Sequence, residues 1–465
     1  YGAILQNLNK LEEAEKLYRK AIALNPNFAN AYCNLGNLLR DLGKLQDAEL
    51  YTRKAIALNP NFANAHYNLG NLLMDLGKLQ DAEKLYRKAI ALNPNFADAH
   101  YNLGIILISL GKLKEAELSY LKAIEIKPDY AKGYYSLSLL KNSNKNERWK
   151  DQLFSENIFI NNSQKNKVDI FFARANILHK EKRYQDSSKY LELANNLKLK
   201  LNPSNAKSFI NKSRKLLIES DKKKINNNQY KSISENIFIV GMYRSGSTLV
   251  ESILSMRDDV YDLGETNFLE ESFIECENST KDLNLTELYT KKVNINTELN
   301  ITTNKYLYNY QYAGIIAWHM PNAKIIHCFR NPLDNILSIY RGHFDKGSEY
   351  SSSLVDCANV YLDQEKVMTE YKKRFRSNIY DLNYDLLVSK PEQEIKSLLS
   401  WLGWEWNDFY LSPHLNPRSV STTSCVQVRS PINSKSTNGW KNYKEMLKPA
   451  IEIITQIDKY KNLIL

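Results

Sequence analysis

The residues whose types and spacing speak most directly of chemistry form one loop, Gly241-Met242-Tyr243-Arg244-Ser245-Gly246-Ser247-Thr248. The spacing is that of a phosphate-binding P-loop, G-x-x-x-x-G-K-[ST], with serine where the lysine would stand. That departure selects among phosphate ligands. A nucleoside triphosphate enzyme needs the lysine on its β/γ-phosphates and a hydroxyl on Mg²⁺, whereas a single 5′-phosphate needs only backbone amides, hydroxyls and one cation. Ser245, Gly246, Ser247 and Thr248 supply those amides and hydroxyls, and Arg244 supplies the charge, so the loop is expected to bind an anion. Other familiar chemistries lack their patterns. Cys33, Cys276, Cys328, Cys357 and Cys425 are scattered and contain no C-x-x-C pair, which indicates neither a disulfide framework nor a zinc site and fits a reducing, cytoplasmic compartment. The seven histidines show no H-x-x-H spacing, and neither His319 nor His327 is read as a catalyst or ligand.

A loop of this kind must be held by a strand before it and a helix after it. The short β-rich run Asn236–Val240 feeds the loop, and "STLVESIL" follows as a helix. The run Ala323–Phe329 likewise leads into "NPLDNILSIYR". This alternation predicts a parallel sheet covered by helices, with binding sites at the carboxyl ends of its strands.

At 465 residues the chain exceeds one ordinary domain. Gly36, Gly70 and Gly104 stand 34 residues apart, as do Ala48, Ala82 and Ala116, and Pro60, Pro94 and Pro128. That period is the signature of the tetratricopeptide helix-turn-helix unit. Leu69-Gly70 falls where the two helices of a unit pack closely, and Ala82 and Ala89 are the small residues facing them. Residues 1–28 read as a unit whose beginning is missing. A worn unit recurs over Phe171–Leu199, with Ala175, Ser187 and Ala194 at the small-residue positions. The predicted architecture is thus an N-terminal all-α tetratricopeptide solenoid over 1–145, a degenerate repeat and basic linker over 146–232, and an α/β P-loop-like domain over 233–465. Such solenoids hold a peptide or protein partner. Asn34, Asn68 and Asn102 recur in phase and suit peptide backbone, or record repeat duplication. The net charge of +11 suits a polyanionic ligand. The Lys/Asn-rich stretch 211–231 lacks aromatic interleaving, so no nucleic-acid partner is expected, and no apolar run reaches the length of about 18 residues that suggests a membrane span.

The loop Arg244–Thr248 resembles the 5′-phosphosulfate loop of the sulfotransferase superfamily, in particular of the tyrosylprotein sulfotransferases and the repeat-containing bacterial sulfotransferases. The family's second element is a strand ending in arginine with a serine eight residues later, and Arg330 with Ser338 in "CFRNPLDNILSIYR" is similar to it. The resemblance implies that this pair holds the 3′-phosphate of 3′-phosphoadenosine-5′-phosphosulfate. An arginine at a strand's carboxyl end suits bidentate phosphate binding. The resemblance further implies a general base at Glu265 in "DLGETNF", with Asp262 as fallback, and a cation at Lys305 for the bridging oxygen and 5′-phosphate. It also implies a leaving-group serine at Ser424, a cofactor- or acceptor-flanking Tyr384, and a closing loop with Trp440 over the nucleotide and Lys441 adding charge. No metal is required. The expected activity is transfer of a sulfuryl group to a hydroxyl or amine, with the repeats binding the acceptor or a partner. Two other readings compete. A P-loop kinase is opposed by the missing lysine, and a repeat scaffold with a non-catalytic nucleotide-binding domain is opposed by Glu265, Lys305 and Ser424. The acceptor stays open among protein tyrosine, glycan and small molecule.

Overall fold

The structure is a computed structural model; residues 2–8, 10–140, 148–222, 235–280, 283–294, 297, 299–344, 346–418, 420 and 425–463 are described. The chain divides into two compact units, Tyr1–Asn166 and Lys167–Leu465. No helix among the described residues is long and apolar enough to cross a membrane.

The first unit is a run of helical hairpins: α1 (Leu11–Leu24), α2 (Ala29–Asp41), α3 (Leu45–Leu58), α4 (Ala63–Asp75), α5 (Leu79–Leu92), α6 (Ala97–Ser109), α7 (Leu113–Ile126) and α8 (Ala131–Leu139). The periodic small residues explain the pairing. A Cβ on Gly104 would stand 2.4 Å from the ring of Tyr120, so only glycine lets α6 and α7 approach this closely. Ala48, Ala82 and Ala116 are fully buried at the equivalent contacts. The in-phase asparagines tie neighbouring repeats together. Asn102 Nδ2 donates to Asn71 Oδ1 at 2.8 Å and to Tyr67 Oη at 3.1 Å, and Asn68 Nδ2 donates to Cys33 Sγ at 3.2 Å.

The second unit is built on a five-stranded parallel sheet: β1 (Glu235–Gly241), β2 (Val260–Asp262), β3 (Ile301–Asn304), β4 (Lys324–Phe329) and β5 (Ile379–Asn383), in the order β2-β3-β1-β4-β5. The fold class is that predicted: helical repeats followed by a parallel sheet covered by helices. On one face Ile237, Ile239 and Ile326 pack against α12 (Ser247–Leu254) and α15 (Pro391–Leu402) through Val250, Ile253, Ile395 and Leu398. Burying side chains of this size stabilises by about 1.5–3 kcal/mol each. On the other face His327 accepts from Gln364 Nε2 at 2.6 Å, on α14 (Leu354–Arg374), while its Nδ1 lies 2.9 Å from Asp381. Burial lowers the pKa of this imidazole.

Three helices precede the sheet in this unit: α9 (Gln164–Lys180), α10 (Tyr184–Leu201) and α11 (Ala206–Lys222). The first two are the worn repeat, and Ser187 Oγ on α10 donates to the Ala175 carbonyl on α9 at 2.8 Å. They pack with the sheet domain. Asn195 and Lys198 of α10 donate to the carbonyls of Tyr340 and Phe344. α11 is likewise domain structure, with the Phe209 ring 4.5 Å from that of Tyr308 and Gln311 Nε2 donating to Ser213 Oγ at 2.8 Å. The part of the expected linker up to Lys222 is therefore helix held against the sheet unit, and residues 223–234 lie outside the described residues.

Candidate active site

The loop leaves β1 at its carboxyl end. Gly241 lies at φ +142°, and a Cβ there would stand 2.3 Å from the Cys328 carbonyl oxygen on the neighbouring strand β4. Gly246 lies at φ +90° directly against the Tyr384 ring, where a Cβ would come within 2.1 Å. Both glycines are required by backbone conformation and by space. Arg244 adopts a positive φ of 66° without being glycine, which marks a strained turn. The loop ends on the first turn of α12, whose backbone amides and dipole favour an anion. Ser245 Oγ is buried there without a hydrogen-bond partner among the described residues.

Arg330 follows β4, and Ser338 lies on the helix α13 (Pro332–Tyr340). Asn331 caps that helix, its side chain accepting from the amides of Leu333 and Asp334. The two residues meet the loop through Arg244. Its Nε donates to Ser338 Oγ at 3.0 Å, and its carbonyl accepts from Arg330 Nη1 at 3.3 Å. Arg330 is buried and also donates to the Ser436 carbonyl at 2.6 Å. Its guanidinium lies 4.8 Å from the centroid of the Tyr384 ring, and its Nε has no hydrogen bond among the described residues. Two arginines, a helix N-terminus, the partnerless Ser245 hydroxyl and the Arg330 Nε together make a donor-rich cradle that fits a bisphosphorylated nucleotide.

Glu265 and Lys305 come from separate segments that the backbone clamps together. Leu263 donates to the Thr303 carbonyl and Lys305 to the Gly264 carbonyl, both at 2.8 Å, which extends the pairing of β2 with β3 beyond both strands. Lys305 Nζ then donates to Glu265 Oε1 at 2.7 Å. The lysine is wholly buried, while the side chain of Glu265 is 45% exposed. Tyr243, Tyr306 and Tyr308 form an aromatic wall beside this pair, with Tyr243 and Tyr308 centroids 5.0 Å apart. Burial, with lesser contributions from Glu270, Tyr243 and Glu265, pushes the Tyr306 hydroxyl up to about 12. Asp262, the fallback base, is turned to Arg418 at 3.7 Å, and burial raises its pKa.

Trp440 is buried and Lys441 exposed. The segment that carries them is held by a residue that sequence reasoning missed. Asp334 on α13 accepts from the Asn438 amide at 2.6 Å and from the Trp440 amide at 2.9 Å. Glu251 was missed as well. It lies inside α12 with one oxygen 3.8 Å from Lys305 Nζ, and a carboxylate within the apolar run "LVESIL" was its available signal. Ser424 lies outside the described residues.

A parallel sheet with a lysine-free P-loop turn, a second arginine and an acid–lysine pair at the strand ends defines a P-loop-type α/β domain with a donor-rich site at the strand ends. Residues 236–408 match the sulfotransferase family, and residues 2–43, 29–62 and 67–131 match tetratricopeptide repeats. The chain thus carries a sulfotransferase-family domain together with tetratricopeptide repeats. An uncharacterized protein of Aquifex aeolicus (strain VF5) is 30% identical over 244 residues, 47% of this chain and 32% of that protein. The chain therefore spans about a third of that relative's length. A Caenorhabditis briggsae protein bearing the name "Putative protein-tyrosine sulfotransferase" is 24% identical over 240 residues, 44% of this chain and 80% of that protein. Among solved structures, MamA is 26% identical with a TM-score of 0.29, covering 40% of this chain and 96% of MamA. YrrB, described as a TPR protein with an unusual peptide-binding site, is 23% identical with a TM-score of 0.28, covering 39% and 88%.

Proposed function

We propose that the chain transfers a sulfuryl group from 3′-phosphoadenosine-5′-phosphosulfate to a hydroxyl or amine acceptor, and that the repeats bind the acceptor or a partner protein. The observation that supports this reading is that Arg244 of the loop meets both Arg330 and Ser338, while Lys305, paired with Glu265, lies 3.8 Å from Glu251 on the helix that the loop opens. Bound there, the cofactor supplies a sulfuryl group whose sulfur–oxygen bond to the 5′-phosphate breaks as a bond to the acceptor atom forms. Arg244 and the amides and hydroxyls of Ser245–Thr248 bind the 5′-phosphate, and Arg330 with Ser338 binds the 3′-phosphate. Tyr384 and Trp440 flank the nucleotide, with Lys441 adding positive charge. Lys305 donates to the departing oxygen, and Glu265 takes the acceptor's proton. Ser424 serves as a second donor to the leaving group. Because Lys305 and Glu265 hold each other, the pair has to part for both roles to be filled. Cys33, Cys328 and Cys357 are buried as free thiols, which is compatible with the reducing compartment proposed for this chain.

The test is transfer itself. Radiolabelled cofactor incubated with the protein and a fractionated lysate is expected to label a protein, glycan or small-molecule fraction, with or without a chelator. Label that stays on the nucleotide in every fraction, while the nucleotide still binds, would favour the non-catalytic scaffold.

A further inference from the structure

The carboxylate of Glu251 sits inside the domain on the helix that begins at the anion-binding turn. One of its oxygens lies 3.8 Å from Lys305 Nζ, and the other is buried without a hydrogen bond among the described residues. Lys305 therefore has two carboxylate neighbours, the half-exposed Glu265 and the buried Glu251. A buried ammonium requires a counter-charge. If Glu265 were its only partner, freeing Glu265 to accept a proton would strand the lysine's charge in the interior.

We propose that Glu251 is a positioning residue of this site, holding the Lys305 ammonium when Glu265 lets go and setting, through its own protonation, how firmly Lys305 keeps Glu265. The inference rests on the reading of Glu265 as base and Lys305 as donor to the departing oxygen. The charged groups facing Glu251 are Lys305 at the end of β3, Asp262 at the end of β2, Glu265 just beyond it, and Arg418. Burial pushes the Glu251 carboxyl from the ordinary 4.5 up to about 7; Lys305 and Arg418 oppose the rise, and Asp262 and Glu265 add to it. Below that pH Glu251 is neutral and Lys305 rests on Glu265. Above it the ammonium is shared, and Glu265 is released to take the acceptor's proton.

Two measurements on the full chain decide the matter. The single-turnover rate of the parent is expected to climb as pH rises towards 7, approaching tenfold per unit as for a single ionisation. Glu251→Gln mimics the protonated state, so it should stay near the parent's acidic rate across pH 6 to 8. A merely structural role would scale the whole profile without changing its shape. Calorimetry in buffers of different ionisation enthalpy supplies the second reading, which the parent alone can give even if the variant fails to fold. Binding of 3′-phosphoadenosine-5′-phosphate draws Lys305 towards phosphate, so the parent should take up a fraction of a proton at pH 7, and Glu251→Gln should not. Nucleotide binding without proton uptake, or an unchanged acid limb in Glu251→Gln, overturns the role given to Glu251 alone. Failure of the parent to bind the nucleotide overturns the reading of the whole site, and Glu251 with it.

Discussion

Glu265 and Lys305 are 40 residues apart in the chain and 2.7 Å apart in space, because a two-point backbone clamp fixes Gly264 beside the end of β3. The pairing makes Glu265 testable as a base. Glu265→Gln keeps size and hydrogen-bond reach and removes proton acceptance. It should lower the single-turnover rate by about 10²–10⁴-fold while leaving nucleotide affinity and melting little changed. Lower melting with near-parental turnover per folded molecule would make Glu265 structural. The strand–turn–helix geometry of the loop was legible from sequence because its pattern is local: glycine spacing between a short β-rich run and a helix, within about twenty residues. Glu251 was not, since its meaning depends on a lysine delivered by a different strand.

The elements show the same divide between local and distant information. Alternating strand and helix runs gave the parallel sheet, and the periodic glycines gave the hairpins, because each depends on patterns a few residues long. The holding of the segment Asn438–Tyr443 did not show. Asp334 lies in the first turn of α13, where an acid reads as an ordinary helix N-terminal charge, yet it holds Asn438 and Trp440 more than 100 residues later. Hydrogen bonds to a charged group contribute about 1.5–3 kcal/mol each. Asp334→Ala should therefore free this segment and raise the nucleotide dissociation rate by at least about tenfold, which stopped-flow release of a fluorescent nucleotide would show. An unchanged release rate in a folded variant would mean that the segment does not retain the nucleotide. The worn repeat was recognised from Ala175, Ser187 and Ala194, but its place with the sheet domain was not, because the ties through Asn195 and Lys198 span about 145 residues.

At the scale of the whole molecule, the chain joins a helical-repeat unit to a sulfotransferase-family domain. The repeats' period was visible in the sequence, and the asparagine ladder resolves into ties between neighbouring repeats through Asn68 and Asn102. The central claim is that the domain is built for a nucleotide carrying separate 3′- and 5′-phosphates. Melting of the parent and of Arg330→Ala with 3′-phosphoadenosine-5′-phosphate, adenosine-5′-phosphate and ATP·Mg²⁺ tests it most directly. A ligand at 100 times its dissociation constant adds about 2.7 kcal/mol, enough to move the transition clearly. The parent should be shifted far more by the bisphosphate than by the other two, and Arg330→Ala should lose that preference while still responding to the 5′-phosphate. Equal shifts with ATP·Mg²⁺, or a preference for the bisphosphate that survives Arg330→Ala, would contradict the account.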